Sequence, residues 1–149
     1  MMVTAGVVRA LRAAHLHDAS RQALLQMACD RIRSWGSPYT SVYGYMLHDG
    51  ELVLEAHAGR DTEHLRIPVG AGVCGTAVAE KTDQNVPDVT AVGNYLACNA
   101  FTKSELVVLI RRGDHILGQI DIDSDVRDGF GEREHADVKT VADALAVLL

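Results

Sequence analysis

Ile120-Asp121-Ile122-Asp123 restricts this chain more tightly than any other stretch of its sequence. Side chains leave a strand on alternating faces. The tetrapeptide therefore predicts a strand with two isoleucines against a core and two aspartates together on the other side. Adjacent carboxylates on one face repel. If water is kept out, one of them holds a proton or both grip a cationic group. The run HILGQIDIDS (115–124) pairs with ELVVLI (105–110) across Arg111-Arg112-Gly113-Asp114, and Glu105 at the start of that partner can add a third acid. A solvated polar face is the bland reading of the same pattern.

The remaining elements arrange themselves around this hairpin. From Val7 to Trp35 the pattern is helical, with Leu25, Ala28, Ile32 and Trp35 on one stripe. Asp18-Ala19-Ser20 breaks or re-caps that helix, and Gly36-Ser37-Pro38 stops it. TSVYGYML and ELVLEAHAG form a second hairpin about His48-Asp49-Gly50, because Asp-Gly tolerates the positive φ of a tight turn. His64 to Val69 is a short extended piece. VCGTAVAEK is a short helix leaving the Gly70-Ala71-Gly72 loop, and residues 82–104 are polar and irregular. After Gly129-Phe130-Gly131 the chain ends in a helix with Val138, Val141, Ala142, Leu145 and Leu148 on one face. This order predicts the α+β class, an antiparallel sheet with the N- and C-terminal helices on one face. The 70–104 excursion then covers the other face, with a ligand pocket beneath it, in a single domain spanning 1–149.

Composition narrows the partners. The formal net charge is −6 and no Lys/Arg-rich block occurs, which argues against nucleic acid and anionic membrane. No stretch is long and apolar enough to span a bilayer. The first twenty residues lack the layout of a signal peptide. Three cysteines are too few, and odd in number, for a disulfide scaffold. The expected setting is cytoplasmic and reducing.

Those cysteines differ in context. Cys29 lies inside the first helical segment and reads as a packing residue. Cys74 stands at the start of the short helix, where free N–H groups and the positive dipole end favour a thiolate. Cys98 lies in the long loop, seven residues before Glu105. Cys74 and Cys98 are therefore either two inert thiols or the working pair of a redox site. They form no C-x-x-C pair, and the histidines show no finger spacing, so no metal site is expected.

Together, IPVGAGVCGTAVAE, VPDVTA, ACNAFTKSELVV and LGQIDIDSD resemble the GAF-domain fold, and within it the free methionine-(R)-sulfoxide reductase family. The resemblance covers about residues 20–149. It implies a thiol-dependent oxidoreductase in which Cys98 corresponds to the attacking cysteine and Cys74 to a partner cysteine. Sulfenic acid and then a disulfide would form, and thioredoxin would reduce the disulfide with no bound cofactor. Glu105, Asp121 and Asp123 correspond to the pocket acids that would hold the substrate's ammonium group and protonate the sulfoxide oxygen. The family's further cysteine, ten residues before Cys74, is replaced by His64, so Cys74 would resolve alone. Its strand tryptophan and tyrosine, which pack the substrate methyl, correspond to Val42 and Met46, with Tyr43 and Tyr45 expected on the opposite face. The amphipathic terminal helices make a homodimer the expected assembly. A non-catalytic GAF module that binds a small amino compound, or a redox switch on the same two thiols, is the competing expectation.

Overall fold

The computed structural model describes residues 2–93, 95 and 100–149. Helix α1 (Met2–Leu16) and helix α2 (Arg21–Arg33) replace the continuous helical run. The break falls where the sequence allowed it. Asp18 takes a positive φ of 63°, and Ser20 caps α2 by accepting from the Ala23 N–H at 3.1 Å. Strands β1 (Ser41–His48) and β2 (Glu51–Ala58) form the first hairpin, with Asp49 and Gly50 both at positive φ. β3 (Arg66–Pro68), α3 (Gly72–Glu80) and β4 (Gln84–Val86) follow. β4 corrects the expectation of an irregular 82–104, because Gln84–Val86 pair with the next strand. Strands β5 (Ser104–Arg112) and β6 (His115–Ser124) form the second hairpin, and α4 (Glu132–Leu148) closes the fold. At the start of α4, Glu134 Oε1 accepts the Gly131 N–H at 2.7 Å.

The six strands make one antiparallel sheet in the order β3-β2-β1-β6-β5-β4. The two long hairpins meet at the centre through β1 and β6. This pairing sorts every central side chain between two cores. Ile120 and Ile122 of β6 lie with Leu106, Val108 and Ile110 of β5 against α1, α2 and α4. Each such fully buried aliphatic side chain stabilises the fold by about 1.5–3 kcal/mol through removal from water. The other face carries Tyr43, Tyr45, Val107 and Leu109, and α3 packs on it with Val73, Cys74, Ala77 and Val78. Among the described residues, no helix is long and apolar enough to cross a membrane.

The β1–β6 register corrects one expectation. Val42 stands opposite Ile122 and Met46 opposite Gly118, so both lie in the helix-side core. Tyr43 stands opposite Asp121, and Tyr45 opposite Gln119. Directly opposed residues in an antiparallel ladder share a face. Since the isoleucines of β6 face the helices, Val42 must as well, and the tyrosines necessarily join the acids.

Candidate functional site

Gln119, Asp121 and Asp123 leave β6 on the α3 side, and all three are buried. Glu105 is buried beside them, directly across from Asp123 in the β5–β6 ladder. The hairpin alone thus gathers the three acids. α3 adds the thiol. Cys74 lies in its first turn, and its Sγ donates to Glu105 Oε2 at 3.8 Å. One donor atom each from Cys74, Glu105 and Asp121 lie within 4.8 Å of one another.

Two contacts hold α3 at this distance. Gln119 Nε2 donates to the Cys74 carbonyl at 3.0 Å. The Gly75 carbonyl accepts from the Gly70 N–H at 2.8 Å, which draws the preceding loop against the helix. A Cβ at residue 75 would lie 2.4 Å from the Pro68 carbonyl oxygen, so only glycine permits that approach.

The electrostatics of Cys74 correct a second expectation. Its thiol is pushed well above the ordinary value of 9.0, first by burial and then by the charges of Asp121 and Glu105. A helix N-terminus does favour a thiolate. Here the sulfur turns inward onto two acids and away from solvent, and desolvation wins. Burial also raises the Asp121 pKa, while hydrogen bonds shared with Glu105 and Cys74 and an electrostatic interaction with His64 pull it back. Asp121 therefore keeps a proton more readily than a carboxylate in water. The arrangement can donate a proton beside a thiol and can surround a cation with acids.

The tyrosines frame this cluster. The Tyr43 hydroxyl donates to the Arg60 carbonyl at 2.8 Å, and the Tyr45 hydroxyl to the His64 carbonyl at 2.7 Å. They tie the segment after β2 to the sheet beside the acids. His64 is half-buried there. An electrostatic interaction with His64 contributes to lowering the Asp121 pKa. Arg60 forms a two-pronged contact with Asp125 at 2.7 and 2.6 Å, and its guanidinium lies 5.0 Å from the Phe101 ring centroid. Cys98 lies outside the described residues. Cys29 is buried among the helices on the other side of the sheet, and burial pushes its thiol up to about 12, as suits a packing residue.

The structure thus brings together Cys74, Glu105, Asp121 and Asp123. Sequence reasoning missed Gln119, although residues 119, 121 and 123 share a strand face by the same alternation that singled out the aspartates. Tyr43 and Tyr45 do lie on the face opposite Val42 and Met46, as alternation required, but the tyrosines and not Val42 and Met46 are on the side of the acids.

Comparisons with known proteins bear on the family and the overall fold. The sequence profile of the GAF domain matches residues 16–149. A free methionine-R-sulfoxide reductase of Escherichia coli is 37% identical over 105 residues, covering 70% of this chain and 63% of that protein. This chain spans about six-tenths of the length of the first curated relatives it matches, 59% for the YtsP protein of Bacillus subtilis and 63% for the Escherichia coli protein. Among solved structures, the type II free methionine-R-sulfoxide reductase of Thermoplasma acidophilum superposes with a TM-score of 0.82 at 37% identity, covering 86% of this chain and 91% of that one. The free methionine-R-sulfoxide reductase of Neisseria meningitidis, solved with its substrate, gives a TM-score of 0.86 at 26% identity, covering 97% and 87%.

Proposed function

The chain belongs to the GAF-domain family, and on that premise we propose that it reduces free L-methionine-(R)-sulfoxide to methionine. The observation that carries this reading is the buried thiol of Cys74 against Glu105 and Asp121, on a face shared with Asp123. The names of the relatives at 37% identity support the same substrate.

In the proposed cycle the Cys98 thiol attacks the sulfoxide sulfur while Asp121 or Glu105 protonates the oxygen. That protonation is needed because an unprotonated oxide is a poor leaving group. The oxygen leaves the substrate sulfur as water, a second water attacks the Cys98 sulfur, the sulfur–sulfur bond breaks, methionine leaves and Cys98 becomes a sulfenic acid. Cys74 then attacks the sulfenic sulfur, a disulfide forms, and the oxygen departs as water. Two thiols are oxidised for each sulfoxide reduced. The raised pKa of Cys74 suits a resolving thiol, which stays protonated and unreactive until the sulfenic acid is presented. Glu105, Asp121 and Asp123 together hold the substrate's ammonium group, and the rings of Tyr43 and Tyr45 supply the apolar wall.

A thioredoxin-like dithiol resets the disulfide, in a reducing cytoplasmic setting. Leu16 and Val147, 81% and 79% exposed on α1 and α4, support a homodimer. The test is a single turnover. Fully reduced protein is mixed with the free sulfoxide and no recycling reductant, and methionine and thiols are counted. About one methionine formed and two thiols lost per chain are expected, with neither in Cys98→Ser. No methionine and no thiol loss would overturn the reading and leave a ligand-binding GAF module.

A further inference from the structure

We propose that Cys74, Glu105 and Asp121 also form a binding site for one divalent cation of the zinc class. Three observations carry it. Their donor atoms lie within 4.8 Å of one another, with the sulfur already 3.8 Å from Glu105 Oε2. All three residues are buried, with exposures of 6%, 4% and 2%. One oxygen of the Asp121 carboxylate, Oδ1, has no hydrogen-bond partner among the described residues. A buried carboxylate oxygen without a partner is costly and calls for a donor or a cation.

The donor types select the ion. Zinc takes sulfur at about 2.3 Å and carboxylate oxygen at about 2.0–2.2 Å. Neighbouring donors around such an ion sit roughly 3.5 Å apart, so inward movement of about 1 Å completes a three-donor set with an open fourth position. One thiolate beside two carboxylates suits a borderline-soft ion, whereas magnesium prefers oxygen and water throughout. On binding, the Cys74 S–H bond breaks, a sulfur–metal bond forms, and the proton passes to the solvent. No electron is transferred. The sequence concealed the set because its members are 31 and 16 residues apart on three elements. Binding needs no turnover, so a chain without reductase activity would still take the ion. Exclusion of the sulfoxide by the ion is a consequence that rests on the proposed function.

The test uses the full chain, reduced and then freed of reductant and chelator. Cobalt(II) is added as a spectroscopic stand-in, and zinc and magnesium are titrated by calorimetry. The expected result is a near-ultraviolet thiolate-to-cobalt charge-transfer band, zinc bound at about one ion per chain, and no magnesium binding at the same concentration. Cys74→Ser abolishes the band, and Asp121→Asn weakens zinc at least about tenfold, each with an unchanged circular dichroism spectrum. Absence of the band in the unsubstituted protein overturns the proposal. So does a band that survives Cys74→Ser, or zinc affinity unmoved by Asp121→Asn.

Discussion

Tyr43 stands directly opposite Asp121 in the ladder that joins the two hairpins. The ring and the carboxylate therefore share the face on which α3 delivers Cys74. Neighbouring Val42, one residue away, belongs to the core under the helices. The two sides of β1 should consequently fail in different ways when truncated. Met46→Ala is expected to cost about 2–5 kcal/mol of stability, the usual range for a buried methionine, with KM for the sulfoxide nearly unchanged. Tyr45→Phe removes the hydrogen bond to the His64 carbonyl and should cost only about 1 kcal/mol, yet raise KM. Urea denaturation and steady-state kinetics on the same preparations separate the two; equal KM effects from both would contradict the side assignment.

Thiol reactivity offers a second check. Burial holds Cys29 up to about 12, and burial with neighbouring acids holds Cys74 well above 9.0. At pH 8 Cys29 is a thiolate roughly one part in ten thousand of the time. Brief treatment of the native reduced protein with iodoacetamide at pH 8 should leave both unmodified, while the urea-unfolded chain is labelled at both. Peptide mass spectrometry reads the outcome directly.

Asp121 ties stability to pH, with a sign that sets it apart from most aspartates. Its folded pKa is raised, chiefly by burial, above the ordinary 3.8. Between those two values the native state binds more protons than the unfolded one, so its contribution falls as pH rises and is lowest above the folded pKa. Asp125, lowered by its Arg60 contact, has the opposite sign: its contribution is present above 3.8 and lost as pH falls through the lowered value. Asp121→Asn should accordingly increase stability near neutral pH and remove the downward slope above pH 3.8. Denaturation midpoints across pH 4–8, measured with a chelator present, would show an unchanged slope if another group were responsible.

Gly75→Ala tests the packing that seats α3. The added Cβ would lie 2.4 Å from the Pro68 oxygen and 2.9 Å from the Gly70 nitrogen, both backbone atoms. Such overpacking costs about 1–3 kcal/mol, or roughly 2–12 °C in Tm for a chain of this size. The first turn of α3, with Cys74, or the Pro68–Gly70 loop must shift to relieve that clash. Single-turnover methionine yield should therefore drop by more than the stability loss explains. A variant with normal Tm and normal yield would show that the close approach is dispensable.

Much of this protein was determined by its sequence alone, wherever the controlling forces are local. The alternation of Ile120-Asp121-Ile122-Asp123 defined a two-faced strand, Asp49-Gly50 defined a hairpin, and Ser20 set the start of α2, because strand period, turn geometry and capping act within a few residues. The acids Glu105, Asp121 and Asp123 were legible for the same reason. Other features depended on tertiary structure. Which side of β1 joins the site follows from its register against β6, a pairing between residues about eighty positions apart. The protonation of Cys74 follows from where its sulfur points: a helix start argues for a thiolate, but burial against Asp121 and Glu105 reverses that argument. The cation-binding set likewise exists only once α3, β5 and β6 are packed. Desolvation and Coulomb energy depend on distance in space, and the fold decides which residues become neighbours.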